Sequence, residues 1–330
     1  MLAPGHDGAA AFDADAPVEI VRHGGQIWWS SAGLRARVAD AARGCDVLVL
    51  GAVLPMNLAA RGVDLPVVVH TYGFEVAWAR LPGARRALRA IGRGAALVTT
   101  LSDYTGRILE RVLGDVTSVR KLPTGVELDV FTPQADGAAI RARHGLGDRP
   151  VVVCVSRLVK RKGQDMLIRA LGAVRERVPH AALLIVGGGP DRARLERLAG
   201  GDADVIFAGE VPYAELPAHY AAGDVYAMPA RDRFAGLEVE GLGIVYLEAQ
   251  ACARPAIAGD SGGAPEAVLA GETGLVVPGG SSQAVADAIA SVLGDRERAR
   301  AMGAAGRAFV ERAHDWDALT ASYLAMLKDL

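Results

Sequence analysis

"PVVVCVSRLVKRKGQDMLIRAL", residues 150–171, runs from a β-branched stretch through a short basic loop into a segment of helical character. A strand that hands over to a helix across a few residues is the repeating unit of a parallel sheet, since parallel strands need a crossover that a helix supplies. The unit recurs downstream. "AALLIVGGG" (181–189), "DVIFAGE" (204–210), "DVYAMPA" (224–230), "RPAIAGD" (254–260) and "GLVVPGG" (274–280) read as further strands with helical segments between them. Upstream the same rhythm starts near residue 46, with "VLVLG" (47–51), "PVVVHTYG" (66–73), "ALVTTLS" (96–102) and "SVRKLPTG" (118–125). The polar, turn-rich "ELDVFTPQADG" (127–137) reads as a linker, and "ERAHDWDALTASYLAML" (311–327) as one closing amphipathic helix. The expectation is α/β throughout, with two doubly wound domains in tandem whose loops at the C-terminal strand ends carry the chemistry.

Composition fits that reading. The 330 residues suffice for two cores, 51% are hydrophobic and 22% are charged. No apolar run of about 18 residues suggests a membrane span, and the N-terminal stretch lacks the pattern of a secretion signal. A formal net charge of −2 gives no general attraction to nucleic acid. Cys45, Cys154 and Cys252 lie apart in apolar surroundings and read as small core residues of a reducing cytoplasm.

Several loops could carry chemistry. In "SRLVKRKG" (156–163), Arg157 and Lys162 stand five apart at the sheet edge, where fixed cations would neutralise a diphosphate; a solvated basic turn is the alternative. "VGGGPDRARLERL" (186–198) is a strand, a glycine-rich turn and a helix, but Pro190 and Arg192 break the dinucleotide fingerprint. "VEGLGIVYLEA" (239–249) sets Glu240 and Glu248 eight positions apart. Between them Gly241, Leu242, Gly243 and Ile244 lead into a helix whose first N–H groups favour an anion. Both acids can accept hydroxyl protons, so a sugar nucleotide would suit the stretch; the competing reading is a capped core helix with incidental acids.

In sequence order, "SRLVKRKGQDMLIRAL", "LLIVGGGP", "GEVPYAELPAHYAAGDVYAMPAR", "GLEVEGLGIVYLEAQAC" and "AGDSGGAPEAV" resemble the retaining glycosyltransferases of family 4. More narrowly they resemble its GDP-mannose-dependent branch acting on phosphatidylinositol monomannoside. The resemblance implies a GT-B fold, two Rossmann-like domains facing a cleft. The domains would span 1–135 on the acceptor side and 136–312 on the nucleotide-sugar side, with a helix over 313–330 crossing back to the first. It implies a hexosyltransferase that moves mannose from GDP-mannose, with no metal expected and a lipid-linked acceptor. Arg157 and Lys162 would hold the donor diphosphate. Glu240 with the backbone of Gly241, Leu242, Gly243 and Ile244 would hold the transferred sugar, and Glu248 the ribose. The loop Gly209-Glu210-Val211-Pro212 would frame the nucleobase. The Asp-x-Asp pairs at 13/15, 202/204 and 315/317 lie outside that arrangement.

Two departures accompany the likeness. Such chains open with a βαβ unit of roughly 30 or more residues, whereas "MLAPG" already reads as the end of its second strand, so an incomplete N-terminal domain is expected. In "VVVHTYGFEVAW", Tyr72 stands where the family has a histidine at the reacting sugar, and His70 lies two residues earlier, up to about 7 Å back along the strand. Tyr72 and His70 are therefore the catalytic candidates of this domain. "PGARRALRAIGRG" (82–94) repeats Arg85, Arg89 and Arg93 at helical spacing, which with the family's lipid acceptor suggests a cytoplasmic protein peripheral to an anionic inner membrane face. The alternatives are a related transferase for another nucleotide sugar or acceptor, and an impaired nucleotide-sugar-binding paralogue.

Overall fold

The computed structural model of the chain describes residues 1–5, 9–23, 32–51 and 60–330. Two compact units emerge. The first comprises Met1–Thr100, Gly106–Leu122 and Leu324–Leu330, and the second Leu101–Thr105 and Pro123–Tyr323.

In the first unit, β1 (Leu2–Pro4), α1 (Ala9–Asp15), β2 (Val21–His23) and α2 (Ala32–Ala41) precede β3 (Leu48–Leu50) and β4 (Val67–His70). Then come α3 (Glu75–Arg80), α4 (Pro82–Gly92), β5 (Leu97–Thr100), α5 (Asp103–Leu113) and β6 (Ser118–Lys121). The parallel sheet runs β3-β4-β5-β6, while β1 and β2 pair with each other in a parallel sheet of their own. Val67 and Val69 of β4 pack with Leu88 and Ile91 of α4 and with Leu109, Val112 and Leu113 of α5. The α1, β2 and α2 elements lie before residue 46, where sequence periodicity showed none. Their strands are three residues long, too short for a period to register. Cys45 is exposed, contrary to its reading as a core residue, because it falls in the turn between α2 and β3.

The second unit carries α6 (Ala138–Arg143), β7 (Val151–Val155), α7 (Gln164–Arg177), β8 (Ala182–Val186), α8 (Arg192–Ala199), β9 (Val205–Gly209) and α9 (Leu216–Ala222). It continues with β10 (Val225–Met228), α10 (Ile244–Ala251), β11 (Ala256–Gly259), β12 (Gly274–Val277), α11 (Ser282–Leu293), α12 (Arg296–Ala313) and α13 (Trp316–Lys328). Its parallel sheet runs β12-β11-β10-β7-β8-β9, the doubly wound order in which the chain reverses direction across the sheet between β7 and β10. Every residue of β7, β8, β10 and β11 is buried, and the edge strands β9 and β12 are partly exposed. This is why the central runs are unbroken Val, Ile, Leu and Ala: helices cover both faces, so no face needs polar alternation.

The closing segment is two helices, not the single one expected. His314 leaves helical geometry at φ −132° and ψ 22°, its carbonyl accepts from Val126 N at 2.9 Å, and Asp315 Oδ1 caps the next helix through Ala318 N at 3.0 Å. An aspartate that satisfies a free helix N–H is a start signal, and here it lies inside an otherwise helical pattern.

Glycines set how close the loops come. Gly163 begins α7 at φ +79°, and a Cβ there would sit 2.1 Å from the Pro229 carbonyl oxygen. The loop after β7 thus touches the loop after β10 backbone to backbone. We expect Gly163→Ala to destabilise the chain by more than the roughly 1–2 kcal/mol that a left-handed alanine costs, since the two loops must also part. Urea unfolding of wild type and variant measures this.

Candidate functional site

Where the strand order reverses, the loops after β7 and β10 meet at the carboxyl ends of neighbouring strands, the place where doubly wound sheets bind their ligands. The β7 loop carries Arg157 and a 3₁₀ turn over Lys160–Lys162; the β10 loop carries Glu238 and Glu240. Topology therefore brings residues about eighty positions apart into contact. Lys162 Nζ lies 2.7 Å from Glu240 Oε2, and Arg161 Nη1 donates to that same oxygen at 2.6 Å. Arg161 Nε is also 3.5 Å from Glu238 Oε1. Lys162 and Glu240 are 8% and 6% exposed, so each charge depends on the other in place of water. Burial pulls the Lys162 ammonium below the ordinary lysine range, against the attraction of Glu240 that raises it.

Both loops are pinned from behind. Gln164 Nε2 donates to Ser156 Oγ at 2.8 Å and to the Arg157 carbonyl at 2.9 Å. The Arg161 carbonyl accepts from Arg231 N at 2.9 Å, while the Arg231 guanidinium grips Asp165 with two bonds of 2.9 Å. On the other side, Glu240 N donates to Ser261 Oγ at 3.0 Å, and Ser261 Oγ donates to Asp232 Oδ1 at 2.7 Å. Gly263 N donates to the Glu240 carbonyl at 2.8 Å. The glycine-rich turn after β8 has a similar task. Leu158 N donates to the Gly188 carbonyl at 2.7 Å, and a Cβ on Gly187 would meet the Ser156 carbonyl at 2.2 Å. These glycines let the turn lie against the cationic loop.

Gly241, Leu242 and Gly243 lead from Glu240 into α10, with Gly243 in the left-handed region at φ +90° and Ile244 as its first residue. Glu248, one turn on, is 7% exposed and accepts from the Tyr220 hydroxyl at 2.5 Å. Burial pushes the Glu248 carboxyl up from its usual range, the tyrosine bond draws it back in part, and Glu127 adds to the rise. Val211, after β9, packs half-buried against the core of this unit. Arg157 is exposed.

His70 and Tyr72 belong to the first unit. His70 closes β4 with Nδ1 2.6 Å from Thr99 Oγ1, and burial lowers its pKa. Tyr72 is 49% exposed on the following loop, whose shape is held by Glu75: the Tyr72 and Gly73 amides donate to Glu75 Oε2 at 3.1 and 2.9 Å. On α4 the arginine repeat divides. Arg89 is bound to the Asp115 carboxylate, with Nη1 2.7 Å from Oδ1 and 2.6 Å from the Val112 carbonyl, so it braces α5. Arg85, Arg86 and Arg93 are exposed, as are Phe74, Trp78 and Leu81 earlier in the chain.

Residues 136–309 match the family described as Glycosyl transferases group 1. The chain belongs to that family. It is 48% identical over 320 residues to the "GDP-mannose-dependent alpha-(1-6)-phosphatidylinositol monomannoside mannosyltransferase" of Mycolicibacterium smegmatis, covering 93% of this chain and 84% of the relative. It is 41% identical over 319 residues to the monoacylated-substrate counterpart of Corynebacterium glutamicum, covering 94% and 84%. Among solved structures it superposes on Anabaena HepE in complex with UDP with a TM-score of 0.84 at 22% identity, over 100% of this chain and 92% of that one. That likeness is one of fold, and it matches the GT-B expectation.

In this group 1 glycosyltransferase the sequence reading missed Arg161 and Tyr220. Arg161 was hidden in a basic run, because "KRK" does not say which cation turns inward. A signal existed in "LEVEG", where Glu238 and Glu240 alternate on one side of an extended segment opposite two cations. Tyr220 lies on a separate helix, and only the fold brings it to Glu248.

The raised Glu248 pKa has a consequence for stability. The folded chain binds this proton more tightly than the unfolded chain, so the group's contribution is full below the ordinary value of 4.5 and is lost as pH rises through the folded pKa. Glu248→Gln, which keeps an acceptor for Tyr220, should therefore gain stability relative to wild type as pH rises from acid to neutral. Urea denaturation of both proteins across that range is the measurement.

Proposed function

We propose that this chain is a retaining mannosyltransferase that moves mannose from GDP-mannose to a phosphatidylinositol mannoside glycolipid. The observation that carries the reading is 48% identity, across 93% of the chain, to a relative named for that reaction. The site chemistry supports it. Lys162 with Arg157 would take the donor diphosphate and stabilise the charge that grows on departing GDP, so the reading calls for no metal ion. Glu240, with the amides at the start of α10, would hold the sugar hydroxyls. Glu248, kept in place by Tyr220, would accept from the ribose, and the Val211 loop would frame the base. On the first unit Tyr72, held by Glu75, would offer its phenol to the sugar where related enzymes use an imidazole, with His70 behind it.

Among the described residues no helix is long and apolar enough to cross a membrane. We place the enzyme in the cytoplasm, peripheral to an anionic inner membrane face. The exposed Arg85, Arg86 and Arg93, with Phe74, Trp78 and Leu81 exposed just before them in the chain, suit such a surface. Reversing Arg85 and Arg93 to Glu should weaken sedimentation with phosphatidylinositol-containing vesicles, as each basic residue near the surface contributes about 1 kcal/mol. Unchanged sedimentation at low salt removes the membrane part of the reading.

Two measurements test the enzymatic part. Calorimetry should give tighter binding of GDP and GDP-mannose than of UDP and UDP-glucose. Transfer of radiolabelled mannose to membrane lipids should fall about a hundredfold in Lys162→Ala, the scale of losing one electrostatic stabiliser. GDP-mannose binding without transfer would favour a nucleotide-sugar-binding paralogue, in line with tyrosine at position 72.

A further inference from the structure

The two cations on Glu240 differ in how they are held. Arg161 and Lys162 both meet Oε2, at 2.6 and 2.7 Å. A diphosphate arriving at this loop competes with Glu240 for them. Lys162 is a compact charge on a four-carbon stem, able to swing and re-aim. Arg161 is a planar fork stretched across two acids, with Nη1 on Glu240 and Nε facing Glu238 Oε1 at 3.5 Å. Its backbone is fixed as well, since its carbonyl accepts from Arg231, which grips Asp165. When Lys162 turns away, Glu240 would be a largely buried carboxylate without a counter-ion unless a second cation stays.

We propose that Arg161 is a positioning residue that keeps the Glu240 carboxylate paired with a cation and aimed at the transferred sugar while Lys162 is drawn to the diphosphate. The inference rests on the mannosyltransferase reading above. In it, the pair of cations allows one acid to serve as a resting partner for Lys162 and as a sugar ligand in the loaded site. Arg161 itself touches neither diphosphate nor sugar.

The test uses the full chain, GDP and GDP-mannose calorimetry, and mannose transfer by wild type, Arg161→Gln, Arg161→Lys, Glu240→Gln and the double variant Arg161→Gln/Glu240→Gln. Arg161→Gln should keep GDP affinity within about twofold. It should also lose about ten- to a hundredfold in kcat with GDP-mannose. Arg161→Lys should restore part of that loss, because a lysine can reach only one of the two acids. Adding Arg161→Gln to Glu240→Gln should cost little more than Glu240→Gln alone, since both changes remove one function. A GDP affinity in Arg161→Gln as weak as in Lys162→Ala would make Arg161 a diphosphate ligand and overturn the proposal. Additive losses in the double variant, or wild-type kinetics in Arg161→Gln, would overturn it too. A wild type that neither binds GDP-mannose nor transfers mannose defeats the underlying reading, an outcome distinct from failure of the Arg161 variants in an active enzyme.

Discussion

The ion pair between Lys162 and Glu240 is the constraint around which the second unit is organised. An ammonium that is 8% exposed and a carboxylate that is 6% exposed have little water to stabilise them. The loss of hydration costs several kcal/mol per ion, and breaking such a pair by deleting one partner leaves that cost unopposed. The chain meets this with short bonds and rigid supports. Gly163 lets the cationic loop approach Pro229, while Gly263 and Ser261 fix the Glu240 backbone from the other side. With Arg161 on the same carboxylate oxygen, the two cations outnumber that acid, and Glu238 at 3.5 Å compensates only at a distance. In the proposed reading, exposed Arg157 on the same loop would join Lys162 in receiving the donor diphosphate.

Topology explains why those residues meet at all. In the order β12-β11-β10-β7-β8-β9, strands β7 and β10 are neighbours although three helices and two strands separate them in sequence. Their following loops meet at the carboxyl ends of the strands, so both offer side chains to one space. The buried central strands give that space a stiff floor. The functional loops themselves have few regular hydrogen bonds and rely on glycines and side-chain bridges to hold shape.

This division also sets what could be read from sequence. Strands buried on both faces appear as unbroken Val, Leu, Ile and Ala runs, and the second unit's sheet was legible because four of its strands are of that kind. Glu240 and Glu248 stood out as charges amid glycine and apolar residues, and Lys162 by its place five after Arg157 in the loop that follows the strand. Arg161 did not, since three consecutive cations carry no directional information until a 3₁₀ turn distributes them around its axis. Tyr220 needed the packing of α9 against α10. The break at His314 was concealed by a helical pattern that continues on both sides of it, and the first 45 residues by strands only three residues long.

Glu75 shows the same economy in the first unit. Its side chain is 1% exposed, and burial raises its carboxyl pKa although the Tyr72 and Gly73 amides pull the other way. Oε2 accepts both amides, while Oε1 is buried without a hydrogen-bond partner among the described residues. A carboxyl with one oxygen fully used and the other unsolvated is costly to ionise, and it survives in a core only where its bonds fix something of value. What it fixes is the turn that follows β4, and with it the backbone of Tyr72. A loop shaped by its own buried acid can change the side chain it presents, phenol or imidazole, without changing its backbone. In the proposed reading the Tyr72 phenol would act from this fixed turn.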